Sequence, residues 1–180
     1  MVTSLILTII SLTIFVLYNA ISLKKFGVPT SLSNTFYLWN GVRKHLGFVF
    51  SAMMFSIALT LLPAWLELGE VISSWSSNLN VVAFLACGSI GFVGAAPAFR
   101  QNEMESKVHT TSAIVAAVCS ILWCLSVCWK IAYVPILAAL GILAAGLWTK
   151  TLKQAKIYWL EMMAFGATFV TVIVELLMHL

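Results

Sequence analysis

"YWLEMMAFGATFVTVIVELLMHL", residues 158–180, is long and apolar enough to cross a bilayer as a helix, yet it carries Glu161, Glu175 and His179. A helix needs about 20 residues to span roughly 30 Å of hydrocarbon. A carboxylate at that depth is costly and normally faces protein or water rather than lipid. The polar residues here are ordered. Glu161, Ala164, Thr168, Thr171, Glu175 and His179 follow one another at intervals of 3, 4, 3, 4 and 4. At 100° per residue they share an arc of about 80°. Met163, Val170, Ile173 and Leu177 occupy the opposite face. One face points into a bundle and the other at lipid.

The rest of the chain is built in the same way. Of 180 residues, 62% are hydrophobic and 9% charged, and the mean hydropathy is +1.03. A water-soluble domain of this size has no core large enough to hide so much apolar surface. Uncharged runs predict an all-α, polytopic membrane bundle forming a single transmembrane domain over 1–180. Its six spans fall at about 1–23, 46–66, 79–99, 110–129, 131–148 and 158–179. Pro63 is placed in the last turn of the second span, and Pro97 is expected to kink the end of the third. Lys130 alone separates the fourth span from the fifth, which predicts a tight hairpin there.

The net charge of +4 does not point to nucleic acid, because the basic residues fall in short gaps between spans. Nine of the ten, Lys24, Lys25, Arg43, Lys44, Arg100, Lys107, Lys150, Lys153 and Lys156, lie in loops on one side of a six-span chain, and Lys130 lies on the other. The positive-inside rule then predicts an inner-membrane protein with those loops in the cytoplasm and both termini outside. The first span lacks a basic leader and a small-residue cleavage site, so it reads as retained rather than as a signal peptide. Its Ser4, Thr8, Ser11, Tyr18 and Ser22 share a helix face suited to packing on other helices.

Two other features concern packing. In the third span Ala83, Cys87, Gly91 and Ala95 stand at i+4 intervals, and Gly141 and Ala145 repeat the pattern in the fifth. Such stripes let helix backbones approach closely where lipid supplies no hydrophobic drive to associate. Cys87, Cys119, Cys124 and Cys128 all fall within spans without metal-ligand spacing, and read as small buried residues.

The fourth span offers a partner for the sixth. His109, Ser112, Ala116, Ser120 and Trp123 lie along one face, and the preceding "RQNEMESK", 100–107, has Glu103–Lys107 and Glu105–His109 at i,i+4, favouring a helical extension. If the two spans are neighbours, Glu161, His109 and Arg100 are expected to meet at similar depth. His45 and His109 are too weak a pair, at the water boundary, to imply haem, so no cofactor and no metal are expected. No nucleophile–base set is apparent, and no catalytic residue is assigned.

The longest loop, Lys24 to His45, is expected to hold a short interfacial helix over Ser31–Trp39 capped by Thr30 or Ser31, with a turn at Asn40-Gly41. Trp39 would sit at headgroup level, and Lys24, Lys25, Arg43 and Lys44 would attract anionic lipid headgroups. "FGVPTSLSNTFY" (26–37) and "GFVGAAPAF" (91–99), followed by "KVH" (107–109), resemble segments of small six-span membrane proteins of gut bacteria and their phages. That resemblance implies the six-span fold and no activity. Two functions fit these features. One is a small transporter or channel for an ion or small solute, lined by the polar faces of the fourth and sixth spans. The other is a non-enzymatic protein that binds lipid, a second copy of itself or another membrane protein through its packing stripe and basic loop.

Overall fold

The computed structural model of the chain describes residues 1–72, 76–146 and 154–180. It is all-α, with six helices in the order α1 (Val2–Phe26), α2 (Thr35–Val42), α3 (Phe48–Ile72), α4 (Ser76–Ala95), α5 (Glu103–Gly146) and α6 (Lys156–Met178). Among the described residues five helices are long and apolar enough to cross a membrane: Val2–Phe26, Phe48–Ile72, Asn78–Ala95, Glu103–Cys128 and Lys156–Met178. Residues 129–146 continue α5 beyond a break at Cys128, whose φ of −148° and ψ of 79° are not helical. The end of the expected fifth span, 147–148, lies outside the described residues, as do Lys150 and Lys153.

Helix ends depart from the sequence reading for identifiable reasons. α1 runs three residues past Leu23 and stops at Gly27, whose φ of +71° suits a residue without a side chain. α3 passes through Pro63 and continues to Ile72, because Ala64, Trp65 and Leu68 beyond the proline are fully buried and hold the helix on. Pro97 does not kink α4. It lies past the helix end, since a residue before proline disfavours the α conformation, and the last turn closes with Ala96 N donating to Phe92 O at 3.0 Å. α5 begins at Glu103, seven residues before the expected span, with a 2.8 Å Glu103–Lys107 ion pair in its first turns. The break in α5 falls at Cys128, and not at Lys130 where the sequence predicts a hairpin.

The burial pattern is that of a membrane bundle. On α1 the buried residues are Ser4, Thr8, Ser11, Phe15, Tyr18, Asn19 and Ser22, while Ile6, Ile9, Val16 and Leu17 are exposed. A soluble helix would show the reverse. α3, α4, α5 and α6 likewise expose Leu59, Phe84, Ile114 and Val170. Such a surface has lipid, not water, as its natural solvent. The chain is an integral membrane protein of packed helices.

Packing directions follow from specific contacts. The amino group of Met1 pairs with Glu67, so the start of α1 meets the end of α3. Gly69 of α3 lies beside Leu79 and Asn80 of α4, and Gly94 lies beside Ser51 and Met54, so these two helices are antiparallel. α5 and α6 both begin against the same loop, through His109 with Ser33 and Tyr158 N with Thr30 O. Farther along, the Cys124 thiol lies beside the hydroxyls of Thr168 and Thr171. The first part of α5 and the whole of α6 therefore run parallel. Lys24, Lys25, Arg43, Lys44, Arg100, Lys107 and Lys156 gather at the loop end of this bundle, opposite Met1, Glu67 and Glu175.

Candidate functional site

The loop between α1 and α3 organises the basic end. It does not lie free at the surface: Pro29, Leu32, Ser33 and Thr35 are buried. Ser31 Oγ accepts from Asn34 N at 3.1 Å and so caps a turn that leads into α2. The helix itself starts at Thr35, later than expected, and runs through Asn40-Gly41. The chain reverses only at 43–47, where His45 adopts a φ of 76° and Asn40 Oδ1 accepts from Gly47 N at 2.8 Å.

From this loop hydrogen bonds reach three helices. Thr35 Oγ1 meets Tyr18 Oη of α1 at 2.5 Å, and Trp39 Nε1 donates to Ser22 Oγ at 3.1 Å. Leu32 N donates to Glu161 Oε2 of α6 at 2.6 Å. Tyr158 N donates to Thr30 O at 3.3 Å, and the Tyr158 hydroxyl donates to Asn19 Oδ1 of α1 at the same distance. His109 of α5, buried, places Nε2 2.9 Å from Ser33 Oγ and Nδ1 2.9 Å from Ala96 O.

The termination of α4 makes that last contact available. In a continuing helix Ala96 O would accept from Arg100 N. Pro97 ends the helix instead. Arg100 N then donates to Tyr37 Oη at 2.7 Å, and the Ala96 carbonyl is left for the imidazole. Phe99 stacks on the His109 ring with centroids 4.5 Å apart, Tyr37 packs edge-on against Phe99, and the Arg100 guanidinium lies over Tyr37. The three stretches quoted above, 26–37, 91–99 and 107–109, thus converge on one another.

Beneath the loop lies a cavity of about 170 Å³ between α3, α4, α5 and α6. Leu32 and Ser33 form one end, and Met54, Leu61, Ile90 and Val93 form one wall. Ala113, Ala116, Ala117 and Ser120 of α5 face Glu161, Ala164, Phe165 and Thr168 of α6. Among the described residues of the lining the polar side chains are Ser33, Ser120, Glu161 and Thr168, with no Lys or Arg. One turn farther from the loop, Trp65 and Trp123 are fully buried and stack at 4.5 Å, filling the space between α3 and α5.

The structure separates residues that the sequence reading grouped. Glu161, His109 and Arg100 do not meet. Each is engaged by a different part of the loop, which inserts between them, and Arg100 is exposed. Glu105 turns away from His109 and accepts from Ala98 N at 3.1 Å, because the histidine points inward. Thr168, Thr171 and Glu175 are buried on the inner face of α6, with His179, partly exposed, 3.6 Å from Glu175. Ser120 is buried on the cavity wall, and Ser112 is half-buried about two turns nearer the loop.

The other expected sites also have definite places. Trp39 is half-buried against α1, where its indole N–H donates to Ser22 and Lys25 lies 4.8 Å above its ring. Lys24, Lys25, Arg43 and Lys44 are exposed at the loop end. In the α4 stripe Ala83, Cys87 and Gly91 are buried and Ala95 is exposed. The closest backbone approach is at Gly94: a Cβ there would stand 2.8 Å from Met54 Cβ, against 3.6 Å to Phe55 at Gly91. A Cβ on Gly141 would meet nothing within 4 Å among the described residues. The side chain of Ala145 lies outside the described residues.

Ser33, Tyr158, Asn19 and Thr35 escape the sequence reading. Their signal is the density of hydroxyls in "TSLSNT", 30–35, unusual for a loop read only as a headgroup anchor. The contact of Ser33 with His109, 76 residues apart, is likewise invisible to spacing along the chain. No protein-family model, curated protein or solved structure matches the chain.

Proposed function

We propose that this chain is a six-span transporter of small solutes with an apolar body and one cationic or hydrogen-bonding group. The observation that carries the reading is the cavity shared by α5 and α6, apolar except for Glu161 and three hydroxyls. Its volume is close to that of the roughly 150 Å³ apolar cavities that accept benzene. Without a lysine or arginine in the lining, an anionic solute would be buried unpaired, whereas a cation or donor has Glu161 as partner. Leu32 and Ser33 of the loop line one end and the Trp65–Trp123 stack lies beyond the other.

A sixth crossing is part of the proposal. Parallel neighbours such as α5 and α6 need a connection that returns across the bundle. Residues 129–146, helical and about 27 Å long at 1.5 Å per residue, are long enough to make it. With the basic residues gathered at the loop end, that end is placed in the cytoplasm and both termini outside.

The direct test is uptake of N-methylpyridinium, a flat cation of about benzene size, into proteoliposomes. Saturable uptake that Glu161→Gln removes is expected. Uptake no faster than in protein-free liposomes, from protein that binds the cation, would overturn the transport reading.

A further inference from the structure

We infer that Ser33 and His109 form a nucleophile–base pair that cleaves small neutral carboxylic esters held in the same cavity. The geometry carries the assignment. Ala96 O can only accept, so Nδ1 of His109 carries the proton facing it, and in the neutral ring Nε2 presents its lone pair to Ser33 Oγ at 2.9 Å. The backbone carbonyl fills the orienting role that a carboxylate has in the familiar triad. Phe99, stacked on the imidazole, holds the ring in that plane. Both residues are over nine-tenths buried, and Ser33 stands on the cavity wall. A serine tied to histidine only to anchor a loop has no need to line a cavity able to hold a substrate.

The lining defines the substrate. It is apolar apart from Glu161 and hydroxyls and offers no cation, which disfavours phosphate esters and favours a neutral acyl ester of modest size. In the first step Ser33 Oγ attacks the carbonyl carbon while its proton passes to His109 Nε2. The C–O bond to the alcohol then breaks, and the departing oxygen takes that proton. In the second step a water gives its proton to Nε2 and attacks the acyl-serine. The Ser33 ester bond breaks, the proton returns to Oγ, and a carboxylic acid leaves. One ester and one water yield one acid and one alcohol, without any oxidant or metal.

The inference rests on the cavity admitting a small apolar molecule, and its test separates the two. Phenyl acetate is offered to the full-length protein in nanodiscs, with phenol release followed optically and the acetyl group located by peptide mass spectrometry. The expected result is a burst of phenol and an acetyl group on Ser33, both absent in Ser33→Ala. His109→Asn keeps a donor for Ala96 O but lacks the base, and should slow acylation by about 10²- to 10⁴-fold. Toluene binding by the parent, read by thermal shift, reports separately that the cavity admits a small apolar molecule. If toluene binds the parent but phenyl acetate gives no Ser33 adduct and no turnover above Ser33→Ala, the pair is a loop tether only and the inference falls. If toluene does not bind either, the cavity reading fails with it.

Discussion

The backbone N–H of Leu32 and the carboxyl of Glu161 meet at 2.6 Å, across 129 residues of chain. This contact gives a glutamate in the second turn of an apolar helix a partner: its carboxyl is the acceptor for a loop packed between helices. Glu161→Gln keeps a carbonyl oxygen for Leu32 N and should unfold in detergent close to the parent. Glu161→Leu leaves that buried donor without its acceptor, a loss of about 1–3 kcal/mol. Thermal unfolding of the two variants side by side checks this. Equal melting of Leu, Gln and parent would mean that the carboxyl does not hold the loop.

Gly94, rather than Gly91, sets the spacing of α3 and α4. A methyl group at Gly94 would press on Met54 Cβ at 2.8 Å and on Ser51 O at 3.3 Å. Gly94→Ala should therefore cost about 1–3 kcal/mol, as overpacking does. At Gly91 the nearest atom is a Phe55 ring carbon at an ordinary 3.6 Å, so Gly91→Ala should be nearly neutral. Detergent melting curves that rank the two variants the other way would refute the seam.

Charge placement gives a topological expectation. A periplasm-active reporter fused after Leu180 should be active, and a cytoplasm-active reporter placed at Gln101 should be active as well. An active cytoplasmic reporter after Leu180 would remove the sixth crossing or reverse the orientation.

Much of the fold was legible because membrane spans are written in long uncharged runs. The buried face of α6 was legible too, since Thr168, Thr171 and Glu175 repeat at helical spacing. The 27–47 loop was not. Its hydroxyls and aromatics fit a lipid interface as well as a buried plug, and only the approach of α5 and α6 decides between them. His109 shows the same limit: Glu105 is its neighbour in helical register, but the end of α4 at Pro97 frees Ala96 O and draws the ring inward. Local spacing cannot report a partner supplied by another helix end.

The proposed transporter needs the cavity between α5 and α6 to be a binding site with Glu161 as its polar anchor. Calorimetric titration with N-methylpyridinium tests it most directly, on the parent and on Ala164→Phe, which places a ring in the cavity. Saturable binding by the parent, its loss in folded Ala164→Phe, and no binding of the similarly sized anion benzoate are expected. Equal binding by Ala164→Phe and the parent, or a preference for benzoate, would show that the cavity is not a cation site anchored by Glu161.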